Sequence, residues 1–266
     1  MIWEYLHIVL VIFYALWLGA ILFLFLKKSN KTHNKLSTIL HAIAWVTLLV
    51  YIIVLWVQID RPPLKTMAET RLWYSFFVSL ITWLIYLKTR SKPLYILGFI
   101  MSFIFLLVDI IHPEYINTEL MPALQSPWFI PHVIIYMMSY AILASAWITT
   151  IFGLYNTYKF KASDTKNINL SMDLVYPGFA LLSLGMIMGA FWAKIAWSDY
   201  WTWDAKETWA LLTWLLYLFC IHLHKSFPQK KKALLFLLAL SFIVLIITWL
   251  GIRYFPSGMS SVHVYG

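Results

Sequence analysis

The chain has 266 residues, of which 62% are hydrophobic and only 12% are charged. A soluble globular domain is nearer half apolar and a quarter charged. This composition therefore excludes a soluble protein, which must bury its apolar residues away from water, and predicts a protein that lies in a lipid bilayer. The formal net charge of +9 is divided among short segments between apolar runs. Nucleic-acid binding needs basic residues gathered on one polar face, and we therefore expect no nucleic-acid partner.

Eight apolar stretches are each long enough to cross a hydrocarbon core about 30 Å thick as an α-helix. Lipid offers no hydrogen-bond partner to an unpaired backbone group, so each span is predicted to be helical. The spans cover residues 2–26, 36–59, 71–88, 93–111, 130–157, 173–192, 205–224 and 233–252. The sequence thus predicts an all-α, polytopic membrane helix bundle of about eight transmembrane helices, surrounded by membrane lipid.

The basic residues of the connectors predict how the spans are oriented. Fourteen Lys and Arg residues lie in the first, third, fifth and seventh connectors, whereas six lie in the second and sixth connectors and after the last span. The side richer in Lys and Arg faces the cytoplasm, so both termini are predicted to be extracytoplasmic. We expect a single integral membrane domain, 1–266, with four spans in residues 1–112 and four in residues 113–266.

The sixth connector and the span after it are unusually rich in tryptophan. Six of the fifteen tryptophans fall within 23 residues, namely Trp192, Trp197, Trp201, Trp203, Trp209 and Trp214. The usual preference of tryptophan for span ends accounts for Trp3, Trp128 and Trp249, but it does not account for six in one segment. A flat aromatic surface at the membrane boundary favours a planar, largely apolar ligand.

Five charged residues lie among these tryptophans, namely Lys194, Asp199, Asp204, Lys206 and Glu207. Asp204 followed three residues later by Glu207, just before an apolar run, is typical of a helix N-terminus, so both are predicted to cap the seventh span. Lys194 and Lys206 have the positions of snorkelling residues, and beside an aromatic surface their ammonium groups could also pair with the carboxylates of a ligand.

Histidine is a natural axial ligand of haem iron. His132 and His263 lie at predicted outward span ends on either side of the Trp-rich segment, so we expect them to converge on the two faces of one planar ring. His222 and His224 are two positions apart on one helix and point to nearly opposite sides, so at most one of them faces a given site. His41 remains a second intramembrane candidate.

The stretch from Gly189 to His224 resembles the tryptophan-rich WWD motif of the haem-handling protein family, which includes the CcsA/ResC proteins of system II cytochrome c biogenesis and the CcmC and CcmF proteins of system I. Order and spacing match at Trp192, Trp197, Tyr200, Trp201, Trp203, Asp204, Lys206, Glu207 and Trp209. Ser198 and Ala205 replace a glycine and a proline of the familiar motif. The eight spans and a C-terminal histidine favour the CcsA/ResC type.

The resemblance implies that the cofactor is haem b, and that residues 189–209, which we call the WWD segment, bind it. The implied haem-binding residues of this segment are Trp192, Trp197, Trp201, Trp203, Asp204, Lys206, Glu207 and Trp209. His132 and His263 are the implied axial ligands of the iron, and His224 is the implied ligand of haem in transit. Neither the sequence nor the resemblance identifies a catalytic residue.

The implied function is haem transport, presentation and attachment to the CxxCH motif of apocytochrome c, within a holocytochrome c synthase complex. It would take place on the extracytoplasmic face of the bacterial inner membrane. The implied partners are a CcsB/ResB-type membrane protein, apocytochrome c and an extracytoplasmic thioredoxin-like protein. Three alternatives remain open: a CcmC-type haem chaperone or exporter without ligase activity, a b-type electron-transfer protein, and a transporter for another planar solute.

Overall fold

The computed structural model describes residues 2–25, 31–113, 126–160 and 164–255, and these residues contain α-helices and no strands. The long helices are α1 Leu6–Phe25, α2 Lys31–Ile59, α3 Met67–Thr89, α4 Lys92–Ile111, α5 Phe129–Lys159, α6 Thr165–Trp197, α7 Ala205–Ser226 and α8 Lys231–Ile246. A π-helical turn, Ile247–Gly251, continues α8. Each long helix coincides with one of the predicted spans.

Seven of these helices, all except α7, are long and apolar enough to cross a membrane, as judged over the described residues. The prediction of an all-α, multi-pass membrane protein is therefore confirmed. The 22 residues of α7 include Lys206 and Glu207 in the first turn and His224 and Lys225 in the last turn, which lowers its average hydropathy. At 1.5 Å per residue its length would still suffice, and its role as an eighth span stays a prediction.

The helices form two compact units, Met1–Glu119 and Leu120–Gly266. In the first unit, α1 packs against α2 and α4, and α3 packs against the same two helices. In the second unit, α5 packs against α6 and α8, and α7 packs against the same two helices. Each unit is therefore a ring of four consecutive helices in which the first helix contacts the last.

The first unit contains a buried ion pair between α3 and α4. The Arg71 Nε donates a hydrogen bond to Asp109 Oδ1 at 2.6 Å, and its Nη2 contacts the same oxygen. The two side chains are only 6% and 1% exposed. Sequence reasoning finds no partner for Asp109, because the two residues lie 38 positions apart and meet only when α3 packs on α4. Ionisable groups inside spans are usually paired in this way.

His41 lies in the core of the first unit and is fully buried. Its Nδ1 is 2.5 Å from the hydroxyl of Tyr95. The rings of Trp17 and Trp83 pack against it, each with a centroid distance of 5.0 Å. His41 is therefore enclosed by aromatic side chains of its own unit.

In the second unit, α5 and α6 satisfy much of each other's polarity. The Ser139 hydroxyl donates to the Gly178 carbonyl at 2.8 Å, and the hydroxyls of Thr149 and Ser171 are 2.7 Å apart. Asp164, the N-cap of α6, accepts hydrogen bonds from side chains at positions 156 and 167. Partial burial acts to raise the pKa of Asp164, but these hydrogen bonds together hold it below its usual value.

Candidate functional site

The candidate site begins where α5 side chains pack directly against three glycines of α6. A Cβ built on Gly178 would lie 2.6 Å from a leucine side chain of α5. One on Gly185 would lie 2.4 Å from the Tyr136 ring, and one on Gly189 would lie 2.7 Å from the His132 ring. Small residues of this kind allow two membrane helices to pack closely where apolar burial contributes little.

His132 lies in the first turn of α5 and faces α6. Its Nδ1 is 2.8 Å from the carbonyl oxygen of Gly185. Its ring lies nearly parallel to the indole of Trp192, with centroids 5.6 Å apart and planes inclined by 29°. The Tyr136 ring covers another side, at a centroid distance of 4.5 Å. The structure therefore brings one predicted axial ligand into contact with the WWD segment.

Trp192 supports this histidine from inside the unit. Its side chain is 2% exposed and packs edge-to-face against Phe129 and Trp197, at centroid distances of 5.1 and 4.8 Å. Trp192 is thus a core residue that holds neighbouring rings in place. It is not part of an open aromatic surface.

Trp201 and Trp203 occupy the turn between α6 and α7. Their rings meet edge-to-face with centroids 5.8 Å apart, and Trp203 is 67% exposed. The backbone of Trp203 is left-handed, with φ of 60°. This conformation is unusual for a bulky L-residue and costs free energy, so the surrounding structure must impose it. Trp203 is the most exposed tryptophan of the WWD segment.

Asp204 and Glu207 hold that turn in shape. They form a capping box at the start of α7, as predicted from their spacing: Glu207 N donates to Asp204 Oδ1 at 2.8 Å, and Asp204 N donates back to the Glu207 carboxylate. The same carboxylate accepts a hydrogen bond from Thr202 N at 2.7 Å. Glu207 thereby holds the backbone on both sides of Trp203, which explains how the strained conformation is maintained.

Ser198 ends α6 in a left-handed conformation, with φ of 68°. The ammonium of Lys194 donates to the Ser198 carbonyl at 2.6 Å and lies 5.3 Å from the centre of the Tyr200 ring. Lys194 therefore closes the end of α6 on an exposed face. Lys206 is half-buried in the first turn of α7.

We expect Ser198→Gly to raise the stability of the protein by about 1 kcal/mol, because glycine adopts the left-handed conformation without the steric cost of a Cβ. Thermal unfolding in detergent measures the effect. Ser198→Ala is the matched control, since it removes the hydroxyl and keeps the Cβ. Equal unfolding temperatures for the two variants would contradict a backbone origin of the gain.

Trp209 and Trp214 lie further along α7. The Trp209 ring stacks on Phe255 with centroids 6.0 Å apart, and its carbonyl accepts hydrogen bonds from Thr213 and Thr248. Trp214 donates from its indole to Ser183 of α6 at 2.8 Å. Both residues connect α7 to its neighbours and fix the helix that follows the Trp201–Trp203 turn.

The two histidines of α7 differ in their surroundings, as their spacing predicts. His222 is exposed, whereas His224 is half-buried. His224 continues the helical face that carries the buried residues Tyr217 and Cys220. The described structure therefore favours His224 over His222 as the residue directed towards the interior of the second unit.

His263 lies outside the described residues, so its approach to His132 stays a prediction. No group of three or more His, Cys, Asp or Glu residues in the described ranges is arranged to hold a metal ion. An iron held by one or two histidines does not need such a group.

Comparison with known proteins places these elements in a family. Residues 67–260 match the model of the cytochrome c assembly protein family, and these residues make up most of the chain. The chain belongs to the cytochrome c assembly family. A cytochrome c biogenesis protein CcsA from Guillardia theta is 31% identical over 86% of this chain and 84% of its own length. Relatives of the same name from Pyropia yezoensis and Mesostigma viride are 29% and 30% identical, over 88% and 79% of both chains.

Membership of the cytochrome c assembly family confirms the predicted resemblance and gives the chain a role in cytochrome c biogenesis, which implies haem handling and partners in cytochrome maturation. The matched range begins with α3 and includes all of α5, α6 and α7. The helices that carry His132 and the WWD segment are thus within the part of the chain that defines the family.

Sequence reasoning assigned no individual role to three residues that shape the site: Tyr136, Gly185 and Gly189. The glycines are one helical turn apart on α6, and Tyr136 is one turn after His132 on α5. Two aromatic rings four residues apart on one helix and two glycines four residues apart on the next form a packing pattern that the sequence already contains. The missing information was which face of α6 meets α5.

Proposed function

We propose that this family member binds haem b at the extracytoplasmic end of α5 and α6 and presents it for attachment to apocytochrome c. The observation that carries the proposal is the contact of His132 with Trp192 at the edge of the WWD segment, with ring centroids 5.6 Å apart. A histidine held in contact with the tryptophan-rich WWD segment suits a planar, apolar ring with a central iron.

Residues in and beside the turn between α6 and α7 fit haem in two further respects. Trp203 offers a 67% exposed aromatic face that a flat macrocycle can cover. Lys194 and Lys206 supply positive charge near the same turn, and haem propionates carry the opposite charge. In this arrangement Trp192, Asp204 and Glu207 shape the site, and Trp203 with the lysines faces the substrate.

His263 provides the second axial ligand, on the face of the ring opposite His132, and His224 holds haem on its way across the membrane. The excess of Lys and Arg in alternate connectors supports a site on the extracytoplasmic face of the bacterial inner membrane, with both termini on that side. A CcsB/ResB-type membrane protein completes the complex, and a thioredoxin-like protein keeps the apocytochrome thiols reduced.

In the reaction, haem is a substrate. Each of the two CxxCH thiols adds to one haem vinyl group, so one C–S bond forms and the thiol proton is transferred to the vinyl group. The chain contributes orientation of the ring and charge near its propionates, because the reactive groups belong to haem and apocytochrome.

The test is the absorption spectrum of the full-length protein, purified in detergent after co-expression with its ResB-type partner. We expect low-spin haem in the parent protein, and loss or alteration of that spectrum in His132→Ala and His263→Ala. His224→Ala should contain less haem, whereas the exposed His222→Ala should match the parent. The His132→Ala, His263→Ala and His224→Ala variants should also attach less haem to a co-expressed reporter cytochrome c. The His222→Ala variant should attach as much as the parent.

Three results would overturn parts of the proposal. Unchanged haem in both His132→Ala and His263→Ala would overturn the axial-ligand assignment. A parent protein without haem would overturn haem presentation itself and favour a transporter for another solute. Bound haem with no attachment to the reporter would favour a haem chaperone without ligase activity.

A further inference from the structure

We infer that Gly185 and Gly189 of α6 are positioning residues for His132, and that they keep the lone pair of its imidazole on Nε2, where it would be available to haem iron. The inference rests on the proposed haem-binding function and adds how the ligand is oriented. Gly185 acts through its backbone carbonyl, and Gly189 acts through the space that its missing side chain leaves.

The first step concerns the proton on the imidazole ring. The Nδ1 of His132 is 2.8 Å from the Gly185 carbonyl oxygen. A carbonyl oxygen can only accept a hydrogen bond, so Nδ1 must carry the proton and donate it. In the neutral ring the lone pair is then on Nε2. Histidines that ligate metals commonly donate their other N–H to a backbone carbonyl in this way, which fixes both tautomer and ring direction.

The second step is that the Gly185 carbonyl can serve two donors. As part of α6, it is in position to accept the amide of Gly189 one turn later. A carbonyl oxygen has two lone pairs, so the second remains for His132. A side-chain acceptor in the same place would bring rotamer freedom, whereas a helical carbonyl has a fixed direction.

The third step explains why position 189 must be glycine. A Cβ at Gly189 would lie 2.7 Å from Cε1 and 2.8 Å from Nδ1 of His132, but 3.6 Å from Nε2. A methyl group there would therefore strike the ring edge that bonds to Gly185. The ring would have to tilt away from α6, and the hydrogen bond that selects the tautomer would lengthen or break.

The fourth step is that neighbouring rings limit how His132 can move. Trp192 lies nearly parallel to it at 5.6 Å, and Tyr136 packs beside it at 4.5 Å. Tyr136 itself needs the gap at Gly185, where a Cβ would come within 2.4 Å of its ring. The two glycines thus leave the space in which His132 and Tyr136, one turn apart on α5, pack against α6.

The test measures the tautomer directly in the haem-free, full-length protein. We would record the 15N shifts of histidine ring nitrogens in protein labelled on histidine, raising the pH until the shifts no longer change, and identify the His132 signals by their loss in His132→Gln. The expected result is a protonated Nδ1 and an unprotonated Nε2. An Nε2–H tautomer in the parent protein would overturn the inference without the need for any further variant.

Gly189→Ala should shift the His132 signals towards the Nε2–H tautomer or an exchanging mixture. Gly178→Ala is the matched control, since its added methyl would meet a leucine side chain in the same helix contact, 2.6 Å away, but not His132. The control should keep the parent shifts. Parent-like shifts in Gly189→Ala, or equal changes in both variants, would overturn the role of Gly189.

With haem bound, Gly189→Ala should change the low-spin absorption and the reduction potential, and Gly178→Ala should not. This second measurement separates the inference from the proposed function. If haem binding depends on His132 but the haem-free protein has the Nε2–H tautomer, the positioning role of the two glycines is overturned and the proposed haem binding stands. If the protein has the expected tautomer but never binds haem, the two glycines do position His132 and the proposed function is overturned.

Discussion

Replacing Asp109 with asparagine is expected to destabilise the first helical unit by about 3–5 kcal/mol, because the substitution leaves the charge of Arg71 buried beside a neutral side chain. The two side chains are 6% and 1% exposed, so water cannot solvate the guanidinium without opening the contact between α3 and α4. The asparagine is close in shape to the aspartate, so the loss reports on charge and hydrogen bonding. Packing changes little.

The measurement is the unfolding midpoint in a denaturing-detergent titration, followed by limited proteolysis of the α3–α4 region. The control is the double variant Arg71→Met with Asp109→Leu, in which no buried charge remains. Replacing a buried pair by apolar residues is often neutral or stabilising, so the double variant should lose much less than Asp109→Asn alone. A single variant as stable as the parent would show that the buried pair contributes little.

Trp192→Ala and Trp203→Ala are expected to differ in their effects on stability. Trp192 is 2% exposed and packs against Phe129, His132 and Trp197, so its removal opens a large cavity. The expected loss of stability is about 3–5 kcal/mol. Trp203 is 67% exposed, and its removal should change stability by no more than about 0.5 kcal/mol.

The haem content of Trp203→Ala should nevertheless fall, because the variant loses the open aromatic face of the WWD segment. Alanine retains the Cβ and therefore the left-handed backbone cost of position 203, so the change isolates the ring. Unfolding midpoints and haem per protein, both measured in one detergent, decide the outcome. A Trp203→Ala variant that unfolds as readily as Trp192→Ala, or that keeps parent haem content, would contradict this division of roles.

The sequence was sufficient for the helices because hydrophobicity and capping are local signals. All eight predicted spans contain a long helix, and the Asp204–Glu207 spacing predicted the capping box that starts α7. Boundaries were less accurate where a helix continues beyond its apolar part. The prediction of residues 173–192 captured only the apolar middle of α6, which extends from Thr165 to Trp197.

The candidate site was predictable in its residue types but not in its contacts. The pairing of His132 with Gly185 spans 53 residues, and the pairing of Arg71 with Asp109 spans 38. Such contacts depend on which faces of two helices meet, and composition does not specify this. For the same reason, tryptophans that look alike in the sequence divide into a buried support, Trp192, and an exposed face, Trp203.

The polar bonds between α5 and α6 bear on how the chain enters the membrane during synthesis. Serine and threonine hydroxyls on one helix find acceptors on the other, as in Ser139 with Gly178 and Thr149 with Ser171. Asp164, the N-cap of α6, accepts hydrogen bonds from Asn156 of α5 and Asn167 of α6. Because α5 and α6 satisfy each other's polar groups, the two helices can leave the insertion machinery already packed as a hairpin. The contact of His132 with Gly185 could then form before α7 and α8 have been translated.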